Sequence, residues 1–292
     1  MRDHKGTVVV TGASTGIGRA TALRLAKGGF TVYGGVRKPE DGEALEGAAA
    51  GDLRALRIDV TDQEQIRSAS EAVSEAAAGA GIAGLVNNAG IVIGGPVEFI
   101  PLDDLRRQLE VNLIGQVAVT QAFMPGLRRA RGRIVNVASV GGRVGTPFIG
   151  PYNASKFALE GISEALRIEL RPWGIDVCLI EPGRVATEIY DKGAATATAV
   201  RERMPDEGEA LYGDAFDAIL ERFGKARERG IDPDRVAKAI EHALTASRPK
   251  SRYLIGRDAR ILVGLSSVLT ARAFGSLVER DMGLPRKAPN AD

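Results

Sequence analysis

Tyr152 and Lys156 stand four residues apart in the run Tyr152-Asn153-Ala154-Ser155-Lys156-Phe157-Ala158-Leu159, thirteen residues beyond Ser139. On a helix, positions i and i+4 share a face, so the phenol and the amine project together. Pro151 suits the first turn of such a helix. Tyrosine alone is a poor base near neutrality, with an ordinary pKa of about 10. A neighbouring ammonium favours the phenolate, and lowering that pKa by roughly three units takes about 4 kcal/mol, which a closed pocket can supply. The pair would move protons without histidine, which suits a chain with only two histidines, His4 and His242, and one cysteine, Cys178. The lone cysteine excludes an internal disulfide and a multi-cysteine metal site, and the sequence calls for no metal. Tyr-x-x-x-Lys also occurs on ordinary surface helices, so its weight depends on the elements that would position it.

The first of these is a glycine loop. The apolar run Thr7–Thr11 leads into Gly12-Ala13-Ser14-Thr15-Gly16-Ile17-Gly18 and then a helical stretch, Arg19 to Ala26. The G-x-x-x-G-x-G spacing departs from G-x-G-x-x-G but keeps its logic: glycines allow the turn and a close backbone approach, and the helix N-terminus offers N–H groups to a pyrophosphate. No Gly-Lys-Ser/Thr follows, which disfavours a P-loop. At the end of the second strand, where dinucleotide enzymes place a ribose-binding acid, the sequence reads Val36-Arg37-Lys38. A guanidinium there suits a 2′-phosphate, which favours NADP, with NAD as the alternative and solvated loop charges as the plain reading. Asp59, after the third strand, could accept from the adenine amino group or serve only as a turn residue.

Short β-branched runs at Thr7–Thr11, Thr31–Val36, Leu53–Ile58, Gly84–Val86, Arg133–Val137 and Ile175–Ile180 alternate with helical patterns such as Ile66, Ala69, Val73, Ala76 and Leu105, Leu109, Leu113, Val117. Almost wholly apolar strands separated by helices predict an α/β fold, a doubly wound parallel sheet with helices on both faces and ligands at the carboxyl ends of the strands. No repeat or low-complexity linker isolates a second domain. Residues 1–257 read as one dinucleotide-binding catalytic domain with a substrate lid at about 184–230, and residues 258–292 as a C-terminal extension.

In these motifs and their order the chain resembles the short-chain dehydrogenases/reductases, single-domain branch, over most of residues 6–257. The resemblance rests on Thr11–Gly18, Asn87-Asn88-Ala89-Gly90, Asn112, Ser139, Tyr152 with Lys156, and Pro182-Gly183 with Thr187. Val111-Asn112-Leu113-Ile114-Gly115 and Glu169-Leu170-Arg171-Pro172-Trp173-Gly174 are similar to the retinol, hydroxysteroid and 3-hydroxybutyrate dehydrogenase subgroup. The resemblance implies a Rossmann-like fold and hydride exchange between a nicotinamide cofactor and an alcohol or carbonyl. Tyr152 would be the general acid/base, and Ser139 would orient the carbonyl and stabilise its oxyanion. Lys156 would bind the nicotinamide ribose and hold down the tyrosine pKa, and Asn112 would distort its helix and hold a water leading from Lys156 to solvent. Gly12, Ser14, Thr15, Gly16, Ile17, Gly18, Arg37, Asp59, Asn88, Ala89, Gly90, Tyr152, Lys156, Pro182, Gly183, Val185 and Thr187 would contact the cofactor. A homodimer or homotetramer is expected, paired through helices starting near Leu102 and Tyr152.

Substrate chemistry is less determined. Val185, Ile189, Tyr190, Met204, Leu211, Tyr212, Phe216, Ile219, Leu220 and Phe223 offer an apolar lid for a lipophilic steroid-, retinoid- or fatty-type alcohol or ketone. Helical spacing of Phe216, Ile219, Leu220 and Phe223 equally fits core packing. Arg143, Arg184 or Lys192 could pair with the carboxylate of a hydroxy acid. A non-catalytic cofactor-binding sensor is the competing class, disfavoured by the intact set Asn112, Ser139, Tyr152 and Lys156.

The chain has 292 residues, 44% hydrophobic and 26% charged, with a formal charge of +2. That balance and the lack of a basic stripe argue against a nucleic-acid partner. The charged start Met1–Gly6, with His4 in an expected frayed terminus, carries no apolar signal region and predicts a cytoplasmic protein. Ile261–Val278 is too interrupted for an integral membrane span and reads as a packed helix, a subunit contact or an interfacial segment. The ending Pro285-Arg286-Lys287-Ala288-Pro289-Asn290 reads as disordered.

Overall fold

The computed structural model describes residues 5–284; His4 and the ending Pro285–Asn290 lie outside the described residues. The strands are β1 (Thr7–Val10), β2 (Thr31–Val36), β3 (Leu53–Arg57), β4 (Gly84–Asn87), β5 (Arg133–Val137), β6 (Asp176–Pro182) and β7 (Arg252–Ile255). All pair in parallel, in the order β3-β2-β1-β4-β5-β6-β7. Side chains of β1 alternate between the faces: Val8 and Val10 enter one apolar cluster and Val9 the other. Both faces are therefore covered, as an all-parallel sheet requires.

One face is packed by α1 (Gly16–Lys27) and α9 (Pro233–Thr245), whose Ala22, Leu25, Val236 and Ile240 are fully buried against β1, β5 and β6. On the other face lie α3 (Gln63–Ala76) and α5 (Gly115–Ala130), which insert Ile66, Val73, Phe123 and Leu127. Each such side chain contributes about 1.5–3 kcal/mol of transfer free energy. The helix α2 (Pro39–Gly47) starts at a first-turn proline and buries Leu45. The strand order reverses direction between β1 and β4, and this opens a crevice at their carboxyl ends.

Two further elements frame that crevice. The helix α4 (Leu102–Leu109) runs into α5 through a π turn over Glu110–Ile114 that contains Asn112. Opposite it stands α6 (Gly150–Glu169), with Pro151 in its first turn.

Six strands are expected from the sequence and seven are present among the described residues: β7 adds an edge strand beside β6, four half-buried residues carrying one β-branched side chain. After β6 the chain builds α7 (Ile189–Arg201) and α8 (Asp206–Glu228), and after β7 it builds α10 (Arg257–Val268) and α11 (Ala271–Met282). The segment Ile261–Val278 is thus two helices, broken where Thr270 caps α11 by accepting from the Ala273 N–H. No described helix is long and apolar enough to cross a membrane.

Candidate active site

The loop after β1 is shaped by its glycines. Gly12 and Gly16 have φ of +64° and +55°, and a Cβ on Gly18 would lie 2.1 Å from the Gly12 carbonyl oxygen. The α1 N-terminus that follows has Thr15 as N-cap with no side-chain cap and no acidic residue in its first turn. Its free N–H groups and positive dipole end therefore face the crevice, which fits a pyrophosphate. Thr11 and Asn88 lock this loop to the end of β4. The Thr11 hydroxyl accepts from the Asn88 and Ala89 N–H groups at 3.0 and 3.1 Å, and Asn88 Nδ2 donates to the Thr11 and Gly12 carbonyls at 3.0 Å each.

The crevice continues as a cavity of about 1150 Å³. Of the residues expected from the sequence, Gly12, Ser14, Thr15, Gly16, Ile17, Arg37, Asp59, Asn88, Ala89, Gly90, Ser139, Tyr152, Lys156, Pro182, Gly183, Val185 and Thr187 all line it. Gly18 and Asn112 do not. Gly18 is packed behind the loop, and Asn112 is fully buried behind Ile91. Arg37 is 72% exposed and stands 3.9 Å from Asp59. Asp59 spends its other oxygen on the Thr61 N–H and hydroxyl, at 3.0 and 2.8 Å, so it is both a turn residue and a cavity residue. Gly183 has a local reason to be glycine as well, because Asp258 packs against it and accepts from the Arg184 N–H at 2.8 Å.

At the middle of the cavity, β5 and α6 bring three side chains together. Ser139 follows β5 and accepts from the Gly141 N–H at 3.0 Å, and its hydroxyl reaches the Tyr152 phenol. Lys156 is buried and donates from Nζ to the Val137 carbonyl at 2.8 Å, with Nζ 5.8 Å from the centre of the Tyr152 ring. Burial raises the phenol pKa above its ordinary value, opposed by the Ser139 hydrogen bond. Burial pushes Lys156 down to about 8, opposed by the charge of Glu160. The protein's own groups thus keep Tyr152 protonated at neutral pH and leave Lys156 close to its titration point.

Asn153, Gln108 and Gln116 support the site in ways that the sequence does not show, beside Asn112, which it does. Asn153 holds the loop after Ser139: its Nδ2 donates to the Gly141 and Val144 carbonyls, and its Oδ1 accepts from the Thr146 N–H. Gln108, Asn112 and Gln116, spaced at i, i+4 and i+8, clamp the chain leaving β4. Gln108 exchanges hydrogen bonds with the Ile93 N–H and Ile91 carbonyl, Asn112 with both backbone groups of Ile91, and Gln116 donates to the Ala89 carbonyl. Asn112 also donates to Ser155 at 3.1 Å, which links this row to α6. The spacing of the three amides is visible in the sequence, but their partners are not.

The roof of the cavity mixes expected and unexpected residues. Ile189, Tyr190, Ile219 and Phe223 line it, whereas Phe216 is fully buried in a cluster with Phe148 and Ala197. Leu262, Leu265, Leu277 and Val278 of α10 and α11 line it too. Two of the three cations considered for a substrate carboxylate are already paired: Arg143 with Glu181 and Arg184 with Asp258, both at 3.4 Å. Lys192 lines the cavity.

Comparison with known proteins agrees with this architecture. Residues 6–197 match the family model for short chain dehydrogenases. Retinol dehydrogenase 5 of Mus musculus is 37% identical over 277 residues, covering 93% of this chain and 87% of its own. An NADPH-dependent 3-dehydrocapnine reductase of Ornithobacterium rhinotracheale is 31% identical over 279 residues, covering 94% and 96%. The crystal structure of a short-chain dehydrogenase from Streptomyces avermitilis superposes with a TM-score of 0.74 at 30% identity, covering 94% of this chain and 96% of that one. The chain belongs to the short-chain dehydrogenase/reductase family and is an NAD(P)-dependent oxidoreductase acting on CH–OH groups.

Proposed function

We propose that the protein interconverts a lipophilic alcohol and its carbonyl with NADP as cofactor and Tyr152 as general acid/base. The observation that carries this reading is the meeting of Ser139, Tyr152 and Lys156 on the wall of one cavity whose far end is the glycine loop. Nicotinamide supplies the hydride exchanged with the carbinol carbon. In the reducing direction Tyr152 donates its phenolic proton to the carbonyl oxygen as negative charge develops there. Ser139, held by the Gly141 N–H, donates to the same oxygen and needs no reorganisation to do so. Lys156 would hydrogen-bond the nicotinamide ribose, and its ammonium stabilises the phenolate left behind. Asn112 fixes the Ile91 segment and, in this reading, holds the water through which Lys156 reaches solvent.

The NADP assignment rests on Arg37 and Lys38 at the cavity edge beyond β2, a guanidinium being suited to a 2′-phosphate. A relative named as NADPH-dependent adds support. The apolar roof of Ile189, Tyr190, Ile219, Phe223 and Leu262 supports a lipophilic substrate, as does similarity to a retinol dehydrogenase. We assign the lid to residues 184–230 together with α10 and α11 of the 258–292 extension. Exposed Phe157 and Ile168, eleven residues apart and so on one side of α6, support pairing of two copies through this helix.

A 340 nm assay of ketones and aldehydes against NADPH and NADH tests the reading. Steroid, retinoid and long-chain carbonyls are expected to turn over best, with NADPH preferred. Turnover confined to short hydroxy acids, or a clear NADH preference, would overturn the corresponding assignment.

A further inference from the structure

We propose that Glu160 is a positioning residue for Lys156: buried one turn further along α6, in the row Tyr152–Lys156–Glu160, its carboxylate keeps the Lys156 amine charged. This rests on the reading that the Lys156 ammonium serves Tyr152. At spacings of four residues the three side chains lie on one face of the helix.

Glu160 is buried, its side chain 8% exposed, and its Oε2 pairs with Arg252 of β7. Its other oxygen, Oε1, is buried without a hydrogen-bond partner among the described residues. Arg252 also binds Glu164 of α6 and Glu181 of β6, and Glu181, 1% exposed, receives Arg143 at 3.4 Å. Three carboxyl groups, those of Glu160, Glu164 and Glu181, therefore share two guanidiniums, those of Arg143 and Arg252. The Lys156 amine lies one helical turn away on the same side of α6. Gly142 packs closely on this part of α6: a Cβ there would lie 2.9 Å from the Lys156 carbonyl oxygen and 3.1 Å from Glu160 Cγ. Between buried groups a single charge acts over a longer distance than at the surface.

The titration behaviour agrees. Lys156, at about 8, is pulled down by burial and pulled back up by Glu160. Glu160 is itself pushed up to about 7, first by burial and then by the Glu181 charge, against the pull of Arg252. The edge strand β7 thereby sets, through Arg252, how much negative charge stands behind the lysine.

Lysine-selective 13C NMR of the cofactor-free protein reads the Lys156 titration directly, with the resonance assigned by its loss in Lys156→Arg. Glu160→Gln is expected to lower the midpoint by on the order of one pH unit, with Glu160→Asp restoring most of the shift. The alkaline limb of kcat/KM for reduction should move the same way. If Glu160→Gln does not fold, Arg252→Gln provides the second test: it strips Glu160 of its counter-ion, favours the neutral acid and lowers the midpoint in the same direction. A folded variant whose Lys156 midpoint and alkaline limb both stay in place overturns the inference. Failure of the underlying reading looks different, because Tyr152→Phe would then keep its turnover whatever the lysine titration does.

Discussion

The floor and the roof of the cavity are built differently. On the floor, Ser139, Tyr152 and Lys156 come from β5 and α6, and their neighbours are fixed by buried hydrogen bonds: Lys156 to the Val137 carbonyl, Asn153 to Gly141 and Val144, Asn112 to Ile91 and Ser155. The roof is made of α7, α8, α10 and α11, held by the buried apolar cluster of Ala197, Phe216 and Ile219 with Phe148 and by ion pairs at the surface. Arg222 of α8 binds Asp281 of α11, Arg227 binds Asp191, and Arg201 binds Glu209 and Asp217. Exposed pairs of this kind contribute about 0–1 kcal/mol each, whereas breaking a buried hydrogen bond costs about 1–3 kcal/mol. The proposed chemistry therefore sits on the half fixed by buried hydrogen bonds, and the proposed substrate contacts on the half held by apolar packing and surface pairs.

Substitutions should separate the two halves, and the floor should show the larger effects. Ser139→Ala removes a fixed donor from the developing oxyanion and is expected to lower kcat by roughly 10²–10³-fold, with cofactor affinity unchanged in a fluorescence titration. A loss confined to KM would move Ser139 from chemistry to binding. The floor should also impose a pH limit. Lys156 is depressed to about 8, so its ammonium is present below that pH and lost as pH rises through it. Reduction kcat/KM is expected to fall above pH 8 by about tenfold per unit, while Tyr152, raised by burial, stays protonated.

At the cofactor end, Arg37→Ala should raise the NADPH KM by about tenfold and leave that of NADH unchanged, as loss of one exposed charge-assisted contact predicts. Equal effects on both cofactors would remove the 2′-phosphate from the account. The roof should respond least. Phe223→Ala is expected to raise KM for a large apolar substrate a few-fold, in keeping with the partial loss of one apolar contact, and to leave kcat for a small ketone alone. A kcat loss with the small ketone would show that the roof shapes the chemistry as well.

This division also explains what could be read from the sequence. Floor motifs are local: the turn at Gly12–Gly18 and the helical spacing of Tyr152 and Lys156 each declare themselves within a few residues. Strand β7 did not, because Arg252-Tyr253-Leu254-Ile255 is short, half-buried and begins with a charge that belongs to Glu160, Glu164 and Glu181 of other elements. Arg143 and Arg184 read as free cations until the fold placed Glu181 and Asp258 against them. In the roof, α10 and α11 looked like a single apolar segment, and only the Thr270 break and the cavity they face give them a place. Asn153 lies in the run between Tyr152 and Lys156, where nothing local shows that it anchors the loop that follows Ser139.

The central claim is that Tyr152 delivers the proton. Tyr152→Phe keeps the ring and removes only the hydroxyl, so it should bind NADPH with wild-type affinity by fluorescence titration and lose roughly 10³-fold or more of the 340 nm turnover. Turnover within a few-fold of wild type, with the cofactor bound, would contradict the account.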